Sequence, residues 1–367
     1  MATIALDATY TLERLPSGVA VYSRRLIESL LKLETPHRFL VCYRLSRFAR
    51  RREFLSPSTV PGSRPFSVRL FQEPLTFWLP WQAEIFHSLA QRPPAFHFKK
   101  EIVTVHDIFP LTGQDYSTLE FQRKFSALLK EAVRRASRVI TPSSYTAAQL
   151  AKHADVPRER IRVIPEGVDF PSRLLTQEER ARERDQHVGT AKEMILCVGV
   201  LQTRKNTINA LRALELLPER YRMVLAGGDG HGSEAIHEYL RRPGLSSRVR
   251  VLGHVSDVEL STLYQSASVL LFPSLEEGFG LPILEAMAAG LPVVAAQTSS
   301  LPEVGGDAAL YADPNDPACL AELVTRACED QPLRHKMIEQ GLARAREFTW
   351  ERTALETLRV YDEVVAL

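Results

Sequence analysis

The sequence predicts an α/β protein made of two Rossmann-like halves, and three observations support this prediction. Apolar runs typical of strands begin near residues 3 and 194, and a turn and a helical pattern follow each of them. The highly charged stretch 171 to 190 separates the two sets of strand–turn–helix units and is the predicted linker. At 367 residues the chain is long enough for two domains, each with its own core.

Composition predicts a globular protein of the cytoplasm. Hydrophobic residues make up 45% of the chain and charged residues 25%; the net charge of +2 argues neither for nor against nucleic acid, and no such partner is predicted. Four scattered cysteines lack metal-ligand spacing and are expected to be small core residues in a reducing compartment. No apolar run approaches 18 residues and no cationic leader opens the chain, so no membrane span is expected.

The first half is predicted to alternate strands and helices. Gly18 lies in the first strand–helix turn, either near a ligand or as an ordinary turn glycine, but a full G-x-G-x-x-G is missing, so NAD is not expected. His106 directly follows a strand, where functional residues of α/β sheets gather, although a structural histidine fits equally well. The predicted strands are 3–8, 39–43, 84–87, 102–105, 138–141 and 161–164, the predicted helices are 21–33, 121–136 and 145–152, and 56–66 is a predicted loop.

Residues 44 to 54 form a cationic, partly amphipathic segment. Arginines at 44, 47, 50, 51 and 52 are interleaved with Leu45, Phe48 and Phe54. This pattern suits contact with anionic lipid, as a lipid-linked acceptor would require, but it also suits a solvated surface. Farther along, Phe77, Trp78 and Trp81 fit either an acceptor-binding surface or the core.

The second half begins with a strand at 194–200, after which Arg204, Lys205 and Asn206 open a helix. A lysine in such a turn suits a phosphate, although a surface lysine is an alternative. Val255 lies in a loop just after a strand. The remaining predicted strands are 223–226, 249–252, 267–272 and 291–296, and residues 317–348 and 350–367 are predicted to be helical.

Residues 267 to 296 are the segment around which the function is predicted. A strand, a loop with Gly278 and Gly280, a helix and a second strand follow one another, so backbone N–H groups and the helix dipole favour a phosphate at this loop. Glu277 and Glu285 would repel a phosphate and are therefore expected to accept hydrogen bonds from hydroxyls. Alternatively the two acids only complement the helix dipole, which is worth roughly 0.3–1 kcal/mol each.

The string from Glu277 to Glu285 resembles the E-x7-E motif of retaining GT-B glycosyltransferases of the GT4-like class. The resemblance implies that Glu277 contacts the donor sugar, that Glu285 binds the ribose, and that the loop amides bind sugar and pyrophosphate. It also implies that Lys205, helped by Arg204, neutralises the pyrophosphate and that His106 lies near the donor sugar. Its catalytic residues are then Lys205, Glu277 and His106, and its donor-binding residues are Gly18, Arg204, Lys205, Val255, Glu277, Gly278, Phe279, Gly280, Leu281 and Glu285.

The resemblance further implies two Rossmann-like domains with parallel sheets facing an interdomain cleft. Residues 1–170, completed by the helix 350–367, are the expected acceptor domain, 171–190 the linker and 191–349 the donor domain. Two positions depart from the family pattern: Val200 replaces a frequent arginine, and Glu166 stands where asparagine is usual. The chain looks similar to bacterial mannosyl- and rhamnosyltransferases of polysaccharide synthesis.

The implied reaction is transfer of a hexose from a nucleotide-diphosphate sugar to a glycan or lipid-linked acceptor, with the anomeric configuration retained. GDP-mannose is the favoured donor and a UDP-sugar the second. No cofactor or metal is expected, because the chain has no Asp-x-Asp motif to bridge a metal to the diphosphate. The alternatives are a GT-B-fold sugar-nucleotide epimerase and a non-catalytic subunit that only binds the sugar nucleotide.

Overall fold

The computed structural model describes residues 1–13, 17–54, 66–72, 74–113, 115–190 and 192–367. Contacts divide the chain into two compact units. The first contains residues 1–111, 119–167 and 348–367, and the second contains residues 112–118 and 168–347. The predicted loop at 56–66 lies, except for Phe66, outside the described residues.

The first unit has a sheet of seven parallel strands in the order β3-β2-β1-β4-β5-β6-β7. The central strands are mostly buried, as expected for a parallel sheet covered on both faces. The strands are β1 (Thr3–Asp7), β2 (Arg38–Tyr43), β3 (Ser67–Leu70), β4 (Ile85–Ser88), β5 (Lys100–Thr104), β6 (Arg138–Thr141) and β7 (Ile161–Val163).

The helices of this unit connect parallel strands. The first begins at Gly18, where the Ser17 hydroxyl accepts a hydrogen bond from the Ala20 N–H and caps the helix. Its buried face includes Leu26 and Leu30. The helices are α1 (Gly18–Lys32), α2 (Leu45–Phe48), α3 (Leu79–Gln82), α4 (Phe109–Thr112), α5 (Leu119–Arg135) and α6 (Ser144–His153), with 3-10 turns at Thr9–Leu12, Arg51–Glu53 and Arg158–Arg160.

The second unit has a six-stranded parallel sheet in the order β10-β9-β8-β11-β12-β13. Its order is that of a Rossmann fold, with the reversal of strand order between β8 and β11. The predicted α/β class with two Rossmann-like halves is therefore confirmed. The strands are β8 (Glu193–Val198), β9 (Tyr221–Ala226), β10 (Val249–Gly253), β11 (Val269–Phe272), β12 (Val293–Ala296) and β13 (Leu310–Ala312).

The segments 171–190 and 317–348 of the second unit differ in detail from the sequence analysis. The charged stretch 171–190 contains a helix, since Thr176 and Glu179 form a reciprocal capping box at its start. The helical region 317–348 is two helices, because Asp330 caps a new helix with a proline in its first turn. The helices are α7 (Gln177–Val188), α8 (Thr207–Leu216), α9 (Ser233–Leu240), α10 (Asp257–Ser266), α11 (Leu281–Ala288), α12 (Leu301–Gly305), α13 (Pro317–Glu329) and α14 (Gln331–Arg346), with 3-10 turns at Thr203–Lys205 and Gly306–Ala308.

The last helix, α15 (Trp350–Ala366), returns to the first unit. Trp350 and Tyr361 lie in the core formed by β1, β2 and α1. Glu363 forms ion pairs with Arg138 at 2.6 Å and with Arg162, and it thereby fixes the helix to the ends of β6 and β7. Among the described residues no helix is both long and apolar enough to span a bilayer.

Candidate functional site

The loops that follow β8 and β11 form the candidate site of the second unit. These two strands are neighbours and parallel, so their carboxyl ends meet at one edge of the sheet. The strand order reverses at this point, which is where open α/β sheets bind ligands. The first loop carries Arg204 and Lys205, and the second carries Glu277 and the glycines before α11.

Three predicted site residues form one charged cluster, in which Arg204 and Glu277 are buried and Lys205 is partly buried. Lys205 Nζ lies 2.5 Å from Glu277 Oε1, and Arg204 Nη1 lies 2.9 Å from Glu277 Oε2. Arg204 Nη1 also donates to the carbonyl oxygen of Glu276. Lys205 lies over the ring of Phe272, with Nζ 5.0 Å from the ring centroid. Residues 72 positions apart in sequence are therefore joined in one ion-pair network.

The charges of this cluster favour an anionic ligand. Burial acts to raise the pKa of the Glu277 carboxyl, but the charges of Arg204 and Lys205 outweigh it and lower that pKa to about 2. The carboxylate is ionised at neutral pH and accepts hydrogen bonds only. Arg204 and Lys205 both face this carboxylate, and their positive charges suit a phosphate better than a neutral group.

Gly199, the first residue after β8, leaves room for the lysine. Its φ is +128°, and a Cβ at this position would lie 3.2 Å from Lys205 Cε. A side chain here would both strain the backbone and displace the lysine from Glu277.

Asn206 and two serines hold the glutamate loop, and sequence reasoning did not assign these roles. Asn206 Nδ2 donates to the carbonyl oxygens of Pro273 at 3.1 Å and Pro314 at 2.7 Å. The Ser299 hydroxyl accepts from the Glu277 N–H, and the Ser300 hydroxyl donates to the Glu277 carbonyl at 2.9 Å. The position of Asn206 directly after Arg204 and Lys205 was the available signal, whereas no local pattern points to the serines.

The loop ends at Gly280, which begins α11. Its φ of +114° is a conformation that L side chains rarely adopt, and a Cβ there would approach Leu301 Cδ2 to 2.9 Å. The N-cap residue of α11 is Gly280, which has no side chain to cap the helix. The binding of an anion by the amides of Phe279, Gly280 and Leu281 stays a prediction.

Glu285, the second acid of the motif, lies one turn into α11 and is half-buried. Tyr264 of α10, itself 3% exposed, donates its hydroxyl to Glu285 Oε2 at 2.7 Å. This hydrogen bond holds the carboxylate in one rotamer and makes Tyr264 a positioning residue that the sequence analysis did not find. Val255, in the loop after β10, is also half-buried.

Two predicted site residues belong to the first unit. Gly18 is exposed at the start of α1, and a Cβ added there would contact nothing within 4 Å. His106 follows β5 and makes two hydrogen bonds, from Nδ1 to Glu166 Oε1 at 2.9 Å and from Nε2 to the carbonyl oxygen of Leu89 at 3.0 Å. Both of its ring nitrogens are therefore engaged within the unit.

Among the described residues, no three His, Cys, Asp or Glu side chains lie close enough to hold a metal ion.

Comparison with known families matches most of the chain in two parts. Residues 16–170 match the model described as Glycosyltransferase Family 4, and residues 179–344 match the model described as Glycosyl transferases group 1. The second match contains the whole charged cluster and the motif from Glu277 to Glu285.

Individual proteins that are similar to this chain include two mannosyltransferases and a protein of known structure. O-antigen chain mannosyltransferase B of Escherichia coli is 30% identical over 289 residues, which cover 77% of this chain and 76% of that protein. The serotype-specific mannosyltransferase WbdA of Escherichia coli is 29% identical over 70% of this chain, which spans only 32% of WbdA. The crystal structure of Anabaena HepE in complex with UDP and glucose is similar in fold, with a TM-score of 0.77, 19% identity and coverage of 99% of this chain and 100% of that one.

Proposed function

Because the chain belongs to the GT4 family of glycosyltransferases, with the GT-B fold, we propose that it transfers a hexose from a nucleotide-diphosphate sugar to a glycan or lipid-linked acceptor with retention of configuration. The observation that carries this proposal is the cluster of Arg204, Lys205 and Glu277 beside the start of α11. It combines cations for a diphosphate with an ionised acceptor for sugar hydroxyls. Assignment of the donor to the second unit and of the acceptor to the first is part of the proposal.

The proposed mechanism uses the donor's own phosphate. The bond between the anomeric carbon and the phosphate oxygen breaks, while Lys205, Arg204 and the amides of α11 stabilise the departing diphosphate. The acceptor oxygen bonds to the anomeric carbon on the same face, and its proton passes to the departing phosphate oxygen. This route needs no nucleophilic carboxylate, which agrees with the engagement of Glu277 in ion pairs through both oxygens. Glu285 is proposed to bind the ribose and His106 to act beside the donor sugar.

The donor we favour is GDP-mannose, and a UDP-sugar is the second candidate. The first choice rests on the relative named O-antigen chain mannosyltransferase B, and the second on HepE, whose structure contains UDP and glucose. Neither likeness carries a substrate over to this chain by itself. A cytoplasmic location remains a prediction.

The deciding experiment measures thermal stabilisation of the purified protein by GDP, UDP and ADP and by their sugar conjugates. Stabilisation of several degrees by one nucleotide series, followed by sugar transfer from that donor to an acceptor panel, supports the proposal. An epimerised sugar formed from the donor alone favours the epimerase alternative. Binding without turnover on every acceptor favours a non-catalytic subunit, and no stabilisation by any nucleotide contradicts the whole assignment.

Removal of divalent metal is expected to leave the transfer rate unchanged. The reason is that Arg204 and Lys205 supply the charge that a metal would otherwise place on the diphosphate. The measurement is the initial rate in excess EDTA against the rate with added Mg²⁺. A complete loss that Mg²⁺ restores would contradict the metal-free mechanism.

We also propose that the first unit contacts an anionic lipid surface, as a lipid-linked acceptor would require. An aromatic patch of Phe77, Trp78 and Trp81 is exposed, at 57%, 44% and 80% respectively, although the sequence had left core burial open. The basic segment 44–54 begins beside it, since the Leu45 N–H donates to Gln72 and the guanidinium of Arg44 lies 4.9 Å from the Phe71 ring centroid. Exposed tryptophans next to arginines suit the headgroup region of a bilayer.

Sedimentation with lipid vesicles tests this contact. The protein is expected to bind phosphatidylglycerol vesicles better than phosphatidylcholine vesicles, and binding should weaken in high salt. Trp81→Ala should reduce binding severalfold because it removes the most exposed ring of the patch. Phe121→Ala is the control, since Phe121 is a 48% exposed aromatic residue on α5 of the same unit. Equal loss in both variants, or no binding by the wild type, would contradict the proposal.

A further inference from the structure

Three histidines of the first unit, His37, His87 and His106, differ in the hydrogen-bond partners of their ring nitrogens. These partners indicate how many protons each arrangement of the ring accommodates. His37 Nδ1 accepts from the Ala2 N–H at 3.2 Å, and its Nε2 lies 2.9 Å from an oxygen of Asp362. His87 faces two hydroxyls, each able to donate or accept, of Tyr361 at 2.7 Å and Thr104 at 2.9 Å. A singly protonated ring satisfies both arrangements, because it has one donor and one acceptor nitrogen.

His106 has a different set of partners. Its Nδ1 faces the Glu166 carboxylate and its Nε2 faces the Leu89 carbonyl, and both of these groups are acceptors when the carboxylate is ionised. Two acceptors require two N–H donors, so the ring must carry both protons and a positive charge. The side chains of His106 and Glu166 are only 12% and 5% exposed, so water does not readily replace either partner.

We propose that Glu166 is a positioning residue that holds His106 as a fixed imidazolium at the carboxyl edge of the first sheet. Glu166 is the position where the family pattern usually has asparagine, and an asparagine amide could not hold the ring in its charged form in this way.

The surroundings of the ring agree with a charged His106. Burial acts to lower its pKa, but the hydrogen bond and charge of Glu166, the Leu89 carbonyl and the charge of Asp107 outweigh it and raise the pKa above the ordinary value of 6.5. His87, on β4, has its pKa lowered to about 3 by burial and by His106, so it adds no second charge. From α1, Tyr22 contributes the edge of a ring, with centroids 4.6 Å apart.

The two hydrogen bonds of the ring also determine which role His106 can have. Its two N–H groups are used within the unit, so the ring contributes a fixed positive charge and not a proton that moves during the reaction. The contacts join the residues that follow β4, β5 and β7, since Leu89, His106 and Glu166 come just after these strands. The charge is therefore held rigidly.

Glu166→Gln is the variant that separates charge from shape. The glutamine amide can donate to Nδ1, so a neutral ring with its proton on Nε2 keeps both hydrogen bonds and loses the charge. Ring ¹⁵N signals of histidine-labelled protein, assigned with a His106→Asn variant, should show the pKa of His106 above the ordinary value in the wild type and lower than that in Glu166→Gln.

Asp362→Asn is the matched control, because it removes a histidine–carboxylate contact elsewhere in the same unit. It should leave the His106 titration as in the wild type. A His106 ring that is neutral at pH 7 in the wild type, or that titrates alike in wild type and Glu166→Gln, overturns the proposal. The ring titration does not depend on nucleotide binding, so failure of the proposed function is a separate result.

Discussion

Glu277→Gln is expected to lower the transfer rate at least tenfold, about 1.4 kcal/mol of transition-state stabilisation, and to destabilise the second unit as well. The carboxylate is a counter-charge of both the buried Arg204 and the partly buried Lys205, and its removal leaves these two cations close together. Breaking a buried ion pair in this way costs about 3–5 kcal/mol. The measurements are kcat with saturating donor and the free energy of unfolding by denaturant.

A nucleoside diphosphate should partly restore the stability of this variant. Its phosphates would replace the lost carboxylate, so the increase in Tm on adding the nucleotide should be larger in Glu277→Gln than in the wild type. Glu329→Gln is the control, because it removes a partner of Arg220 from an exposed pair in the same unit, where about 0–1 kcal/mol is at stake. A Glu277→Gln enzyme with near wild-type rate would contradict the assignment of the site.

The stabilising effect of Glu277 has a defined pH range. Its pKa is lowered in the folded state from 4.5 to about 2, so the carboxylate contributes stability above pH 4.5. This contribution is lost as the pH falls through the range between these two values. The difference in stability between wild type and Glu277→Gln should therefore be constant near neutral pH and should shrink towards pH 2.

The sequence was sufficient for the elements that determine the position of the cluster. Buried parallel strands such as β8 and β11 are continuous apolar runs, and the glycines and Pro282 after β11 predict a loop and the start of a helix. Topology then places the residues that follow neighbouring strands at one edge. The resemblance to the E-x7-E family had grouped Arg204, Lys205 and Glu277, and this topology explains how they meet although 72 residues separate the lysine from the glutamate.

Contacts between distant parts of the chain were not predictable in the same way. The hydroxyl of Tyr264 on Glu285 and those of Ser299 and Ser300 on the glutamate loop depend on packing between elements, which no local pattern records. Glu166 could be noticed only as a departure from the family motif, and its partner His106 lies 60 residues earlier. Among secondary elements, β3 was missed because its four residues are only partly buried at a sheet edge.

Lys205→Met is expected to lower kcat at least tenfold while leaving the fold intact. The ammonium group is proposed to meet the charge that develops on the departing diphosphate, an interaction that is stronger in the transition state than with bound donor. Methionine can follow the same path over the Phe272 ring, and Arg204 remains as a partner for Glu277, so little stability should be lost. The measurement is kcat and KM for the donor, with the larger change expected in kcat.

The leaving group offers a sharper test of this role. A donor analogue whose leaving group is a much weaker base needs less charge stabilisation, so the ratio of wild-type to Lys205→Met rates should be smaller with the analogue than with the natural donor. Lys192→Met, which removes a partly buried lysine beside the Glu219 carbonyl of the same unit, should change neither rate. A loss that is equal for both donors would mean that Lys205 acts on binding or positioning and not on the departing diphosphate.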